Sequence, residues 1–210
     1  MNSQGFKFKN RKFFPYIVDF LNSVDWMQRI IVSTDDPVLV EEAKKQDYEI
    51  HKRPEDLTGP AVSIKAVFLS VIKDMNVKDD DVLWLLFLPL LYRNKKDFDK
   101  CKKYIEQKDV RSLCTFISAK SHPFNCWRYD KDKKKLTKYI DNDVFRRQDL
   151  PPAWEHYHYI SCFKAGEINN LNSELVNSKT YPVFLDKKTT EKLVEIDTPD
   201  DYEKWKKLKK

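Results

Sequence analysis

The chain has 210 residues and a formal net charge of +6, from 39 Lys and Arg against 33 Asp and Glu. Hydrophobic residues at 41% and aromatics at 13% are enough for a core, which excludes a wholly disordered chain despite 34% charged residues. Three glycines exclude collagen-like and Gly-rich chains, and the longest apolar run, 82–92, is about half a membrane span.

The first ten residues contain no apolar signal-peptide core, so a cytoplasmic protein with no membrane partner is expected. The four cysteines, Cys101, Cys114, Cys126 and Cys162, form no CxxC pair, which points to free thiols rather than a zinc ribbon. Lysine runs at 131–135 and 204–210 read as solvated surface or as a face for polyanions. Nothing resembling an aromatic-interleaved RNA-binding signature accompanies these runs, so a small anionic ligand is expected and nucleic acid is not.

In chain order, the β-branched run 29–34 reads as a buried strand, and Asp36-Pro37 opens a helix to about 46. A strand follows over 48–51. Apolar residues at 64, 67, 68, 71 and 72 give helical spacing over 63–75. The run 81–88 has no polar residue after Asp81 and reads as a strand buried on both faces. A helix over 95–107 and a strand over 112–118 complete the alternation. Beyond about 120 come a hairpin (125–130 with 136–140), a polar turn at 145–152, a strand over 158–163 and a short helix over 165–171. A strand over 193–196 and a helix over 199–208 close the chain, and no internal repeat is visible. Strand–helix alternation predicts a layered α/β domain spanning 1–210, with a mainly parallel sheet and ligand loops at the C-terminal strand ends.

Four segments carry chemistry. Residues 2–10 read as a small polar loop in which Lys7 and Lys9 project to one side and backbone N–H groups lie near Gly5, an arrangement suited to a triphosphate. Glu195 and Asp197, two apart on a strand, place two carboxylates on one face. They read as a Mg²⁺ site or as an acidic pair capping the following helix. Arg146, Arg147, Gln148 and Asp149 are either an anion-binding turn or a surface turn closed by an internal ion pair. His156 and His158 share a strand face near Glu155, but the alternating Tyr157 and Tyr159 favour a ligand-contacting or structural role over a metal triad.

The order Ser-x-Gly-x-Lys-x-Lys-Asn (3–10), Ile-Val-Ser-Thr-Asp-Asp (31–36), Arg-Pro-x-x-Leu (53–57), Arg-Arg-Gln-Asp-Leu-Pro (146–151) and Glu-Ile-Asp-Thr-Pro-Asp-Asp (195–201) resembles the acylneuraminate cytidylyltransferases. These enzymes make CMP-activated sialic acids and related nonulosonic acids. The resemblance runs over nearly the whole chain. It implies a Rossmann-like, mainly parallel sheet flanked by helices, with a β-rich extension at about 121–165 that mediates homodimer contact. It also implies a reaction of CTP with a 2-keto-3-deoxy sugar acid that yields the CMP-sugar and pyrophosphate.

By resemblance, Ser3, Gly5, Lys9 and Asn10 wrap the CTP phosphates, with Lys7 as a helper, and Arg53 and Ser63 hold the cytosine and ribose. Arg147, Gln148 and Asp149 lie near the sugar acid, with His156 and His158 in an altered sugar pocket. Glu195 and Asp197 bind Mg²⁺. Lys9 and Arg147 are the expected catalytic pair. The pattern departs from the family in three places. Residue 1 falls inside the phosphate loop, so the family's first, central strand and its arginine have no counterpart here, and Gln4 stands where lysine is usual. A chain without that strand is expected to expose the middle of its sheet and to lose stability and turnover. The family's Gln-Pro-Thr-Ser-Pro segment appears as 87–93, with only Arg93 and one proline matched. The family's Asn-Gly after the Leu-Pro turn is replaced around His156-Tyr157-His158. A nucleotide-sugar glycosyltransferase and a non-catalytic relative are the competing readings.

Overall fold

The computed structural model describes the backbone of residues 3–59 and 61–208, and side chains from residue 11 within that span. Helix α1 (Ser3–Asn22) leads into β1 (Ile31–Thr34), α2 (Pro37–Lys44) and β2 (Glu49–Lys52). Then come α3 (Ile64–Asp74), β3 (Val82–Leu85), α4 (Lys95–Ile105) and β4 (Ser112–Ser118). The hairpin β5 (Trp127–Asp130) and β6 (Lys135–Lys138) precedes β7 (Trp154–Lys164) and β8 (Tyr181–Phe184). One-turn α5 (Lys187–Thr190) and α6 (Pro199–Leu208) end the chain.

The α/β expectation holds. A four-stranded sheet has the order β3-β7-β4-β8. Strand β7 runs antiparallel to both neighbours and β8 parallel to β4, so β3, β4 and β8 share one direction. Strands β1 and β2 form a separate parallel pair. The expected 121–165 extension is smaller than read: β7 is an interior strand of the main sheet, and only the β5–β6 hairpin stands apart. No helix among the described residues is long and apolar enough to cross a membrane.

The core lies on both faces of the four-stranded sheet. Phe98, Cys101 and Ile105, spaced by three and four on α4, pack with Leu113 of β4 and Tyr159, Ile160 and Cys162 of β7. On the other face Ile64, Phe68 and Ile72 of α3 pack with Phe163, Ile168 and Leu175. Asn94 caps α4 through a bond from the Lys96 N–H, and Asp36 caps α2 through one from the Val38 N–H.

Residues 3–10, read as an extended phosphate loop, are instead the first turns of α1. The physical reason lies downstream. Phe13, Phe14, Ile17, Phe20 and Leu21 are all buried at helical spacing, and a helix nucleated there extends cheaply toward the N-terminus. The side chains of Ser3, Gly5, Lys7, Lys9 and Asn10 lie outside the described residues.

Helix α1 also joins the two sheets, whose strands share no ladder among the described residues. Phe14 packs with Leu39, Ala43, Val32 and Ile50 beside the β1–β2 pair. Phe13 packs with Leu91, Ile196 and Trp205, Phe20 joins the α4 core, and Leu88 touches the first two clusters. Arg11 adds a two-pronged ion pair to Asp36, both contacts at 2.8 Å. Arg29 ties the start of β1 to Glu49 and to the Met75 carbonyl that ends α3.

Candidate active site

The site is built where strands β1, β2 and β4 end and β7 begins. At the end of β1, the Ser33 carbonyl accepts a 2.6 Å bond from Arg53 Nη2, and Ser33 Oγ accepts a longer one, 3.3 Å, from Arg53 Nε. Arg53 is thereby fixed just beyond β2. Burial lowers its pKa and the Asp35 charge partly restores it. Ser63 begins α3, its hydroxyl accepting from the Ala66 N–H at 3.2 Å. Arg53 and Ser63 thus bracket the loop after β2, each also serving the scaffold.

Ser33 Oγ lies 2.9 Å from His51 Nδ1, and His51 Nε2 lies 3.1 Å from Asp74 Oδ2. The order matches a hydroxyl–imidazole–carboxylate relay. His51 is only 2% exposed and Ser33 Oγ already accepts from Arg53. The chain of bonds instead ties β1, β2 and α3 together.

An open cleft of about 570 Å³ follows β4, lined by Lys120, His122, Phe145, Arg147, Leu150 and Pro151 among others. Of the 146–149 turn, only Arg147 reaches it. Arg146 instead closes a two-pronged pair with Asp149 at 2.7 and 2.9 Å. Asp149 is therefore spent on the surface-turn pair, and Gln148 does not line the cleft.

Glu195 and Asp197 flank buried Ile196. The expected strand over 193–196 is reduced to a single bridge, Leu90 to Glu195, beside an Ile196 N–H bond of 3.1 Å to the Pro89 carbonyl. Leu193 and Val194 follow directly on the turn after α5, which leaves no length for a ladder. Glu195 and Asp197 are exposed on either side of Ile196. Arg93 braces this bridge by donating to the carbonyls of Leu90 and Phe87, the latter at 2.7 Å; its burial lowers its pKa to about 10.

Desolvation raises the Glu195 pKa, the charges of Asp197 and Asp201 raise it further, and His158 and Lys120 oppose them. Tyr157 feels the same carboxylates: burial first, then Glu195, Glu155 and Asp197, push its hydroxyl up to about 12. Neither Glu195 nor Asp197 is taken up by a salt bridge among the described residues. Paired carboxylates that repel each other, with no salt bridge to spend them, form an oxygen donor set that suits a hard divalent cation.

No protein-family model matches the sequence, and no curated protein matches it. Among solved structures, the chain is similar to CMP:2-keto-3-deoxy-manno-octonic acid synthetase complexed with CTP. The TM-score is 0.59 and the identity 13%, over 93% of this chain and 86% of that one. The two share a fold. That fold accounts for the sheet, the crossovers and the placing of loops at strand ends; the chemistry rests on the side chains above.

His156 and His158 sit at an irregularity in β7. Cys114 pairs with Ser161 but Thr115 pairs with Tyr157, so residues 158–160 bulge out of the ladder. Thr115 fills the gap: its hydroxyl donates to the Tyr157 carbonyl at 2.6 Å and accepts from the Ile160 N–H at 3.0 Å. The bulge sets the two imidazoles edge to face, 4.3 Å apart between centroids. His158 Nε2 lies 3.0 Å from Glu174 Oε2 and its Nδ1 3.3 Å from Ser161 Oγ. Burial, then the neighbouring His158, lowers the His156 pKa to about 4. Glu155 stands on the alternate face of β7 and is not in this group.

Sequence reasoning missed Lys120, Tyr157 and Glu174. Lys120 was within reach, because it follows a strand's C-terminal end where ligand loops gather. Glu174 gave no signal: it lies 16 residues beyond His158 in a loop with no motif.

Proposed function

We propose that this chain is a CTP-dependent cytidylyltransferase that transfers CMP to the anomeric hydroxyl of a sialic-acid-like 2-keto-3-deoxy sugar acid and releases pyrophosphate. One observation carries the reading. Glu195, paired with Asp197 and with no salt-bridge partner among the described residues, feels the charge of Lys120, which with Arg147 lines the cleft after β4. In this reading the cleft's cations take an anionic substrate and the acidic pair supplies donors for a phosphate-bound metal. The similar solved structure is a CMP-sugar-acid synthetase carrying CTP, which supports the same class of substrates here.

In this reading the sugar's anomeric hydroxyl attacks the α-phosphorus in line, the bond from phosphorus to the pyrophosphate oxygen breaks, and no covalent enzyme intermediate forms. Arg147 pairs its planar guanidinium with the sugar carboxylate and sets the hydroxyl's approach. Lys120 holds negative charge at the mouth of the cleft. Arg53 and Ser63 frame the base and ribose, and the resemblance assigns the phosphates to Ser3, Gly5, Lys7, Lys9 and Asn10. Glu195 and Asp197 would hold Mg²⁺, which neutralises charge on the phosphate oxygens when bound. The exposed apolar face of the β5–β6 hairpin is taken up by a second copy of the chain.

The test is pyrophosphate release from CTP and from UTP, with and without a 2-keto-3-deoxy sugar acid. Acid-dependent release with CTP preferred is expected. Glu195→Gln with Asp197→Asn should lower it by roughly 10²–10³-fold, the scale of losing preorganised charge stabilisation. Transfer from a nucleotide-sugar without pyrophosphate would favour a glycosyltransferase. No turnover with intact CTP binding would favour a non-catalytic relative.

A further inference from the structure

The group formed by His156, His158 and Glu174 is not used by the proposed reaction. Each residue offers one ligand atom, and the three atoms lie within 4.8 Å of one another. Two come from β7, His158 in its bulge and His156 in the ladder just before it, and the third from the loop after residue 171. His156 Nε2 is a buried nitrogen with no hydrogen-bond partner among the described residues. Buried polar atoms are nearly always paired, and an orphan of this kind calls for an occupant. Neutral imidazole nitrogen is also the form that ligates a metal.

We infer that His156, His158 and Glu174 bind a borderline divalent cation of the Zn²⁺ class, which clamps the β7 bulge to the 172–175 loop. The donor set, two imidazole nitrogens and one carboxylate oxygen, is the kind preferred by Zn²⁺ and Co²⁺ and not by Mg²⁺ or Ca²⁺, which take oxygen ligands. Metal–ligand bonds of about 2.0–2.1 Å in a tetrahedron place ligand atoms about 3.4 Å apart. His158 Nε2 and Glu174 Oε2, at 3.0 Å, are already near that separation. The remaining pairs close by no more than about an ångström and a half, the scale of a side-chain rotation.

The surroundings hold the ligands in place. With the metal on Nε2, His158 Nδ1–H donates to Ser161 Oγ, now at 3.3 Å, which sets the tautomer and the ring plane. Ser161 is 1% exposed and also receives the Cys114 thiol at 3.5 Å, so it is fixed by the core. Glu174 is positioned by its neighbours: Asn172 Oδ1 accepts from the N–H groups of Glu174 and Val176, and Leu175 is buried. Three protein ligands leave a fourth position for water. This inference is independent of the cytidylyltransferase reading, because it concerns a nitrogen-rich site with its own metal.

The experiment is a Co²⁺ titration of the chelator-treated full chain, read by visible absorption, followed by displacement with Zn²⁺. One equivalent should give the strong bands of four- or five-coordinate Co²⁺, excess Mg²⁺ should leave them unchanged, and Zn²⁺ should abolish them. Glu174→Gln and His156→Gln should each weaken binding by at least about tenfold, and Ser161→Ala by about tenfold. Zn²⁺ should raise the melting temperature of the wild type in a concentration-dependent way and that of Glu174→Gln much less. Glu174 is exposed, so its variant keeps the test decisive if His156→Gln does not fold. Absence of saturable binding, weak octahedral bands, or an affinity unchanged by Glu174→Gln would each overturn the site. A loss of pyrophosphate release with the Co²⁺ spectrum intact would count against the proposed reaction and leave the metal site standing.

Discussion

Thr115→Val tests how the bulge that aims His158 is held. Thr115 is fully buried, and valine has nearly its shape without its hydroxyl. Two backbone groups then lose their partner: the Tyr157 carbonyl, now bonded at 2.6 Å, and the Ile160 N–H, now bonded at 3.0 Å. A buried group left unsatisfied costs about 1–3 kcal/mol. Two such losses, offset in part by the added methyl, come to about 2–4 kcal/mol. For a chain of this length each kcal/mol lowers the melting temperature by about 2–4 °C, so a fall of about 4–16 °C is expected. Thr115→Ser keeps the hydroxyl and removes one methyl, at about 1 kcal/mol. The assay is a thermal melt of all three proteins by circular dichroism, with exchange of the Ile160 amide as a local probe. A valine variant melting within about a degree of wild type, or above the serine variant, would refute the claim that this hydroxyl replaces the ladder.

Burial pushes the Cys101 thiol up to about 12 and Cys114 to about 11, and raises Cys162 well above its ordinary value. Iodoacetamide at pH 8 should therefore alkylate the half-buried Cys126 alone in the folded protein, as read by peptide mass, and all four cysteines once denatured. Arg147→Ala should raise the KM for the sugar acid by roughly tenfold or more, with a smaller change for CTP, as expected on losing a charge-assisted hydrogen bond worth about 1.5–3 kcal/mol. Equal effects on both substrates would move Arg147 away from the carboxylate. Trp127, Tyr129 and Leu136 share one exposed face of the hairpin, and Phe145 is 98% exposed. Tyr129→Lys with Leu136→Glu should convert a dimer to a monomer in sedimentation without a large loss of stability.

Much of the scaffold was legible in the sequence because it is written locally. The i, i+3, i+4 spacing of Phe98, Cys101 and Ile105 and the caps Asp36, Ser63 and Asn94 set helices by short-range geometry that any packing must respect. The apolar run of β4 announced a buried strand, whereas the run 81–88, read as buried on both faces, forms β3, a four-residue, half-buried strand at the sheet edge. Two elements were hidden by local signals of the opposite sign. Pro15 interrupts the pattern of α1, yet five buried apolar side chains outweigh it. Pro182 argues against a strand, yet β8 lies at the sheet edge, where one missing N–H is tolerated.

The sequence by itself determined the α/β class, the starts of α2, α3, α4 and α6, the turns at the sheet's C-terminal edge, and the spacing of Glu195 and Asp197 across one apolar residue. Only the tertiary structure decided that residues 3–10 are helix, that Asp149 belongs to Arg146 while Arg147 faces the cleft, and that β7 lies inside the sheet. It alone brought the charge of Lys120 to bear on Glu195 and Glu174 to the two histidines. The reason is range. Helix periodicity and capping act over four residues, whereas coulombic coupling and shared ligand atoms depend on which strand ends become neighbours. That is settled by packing contacts between residues far apart in the chain.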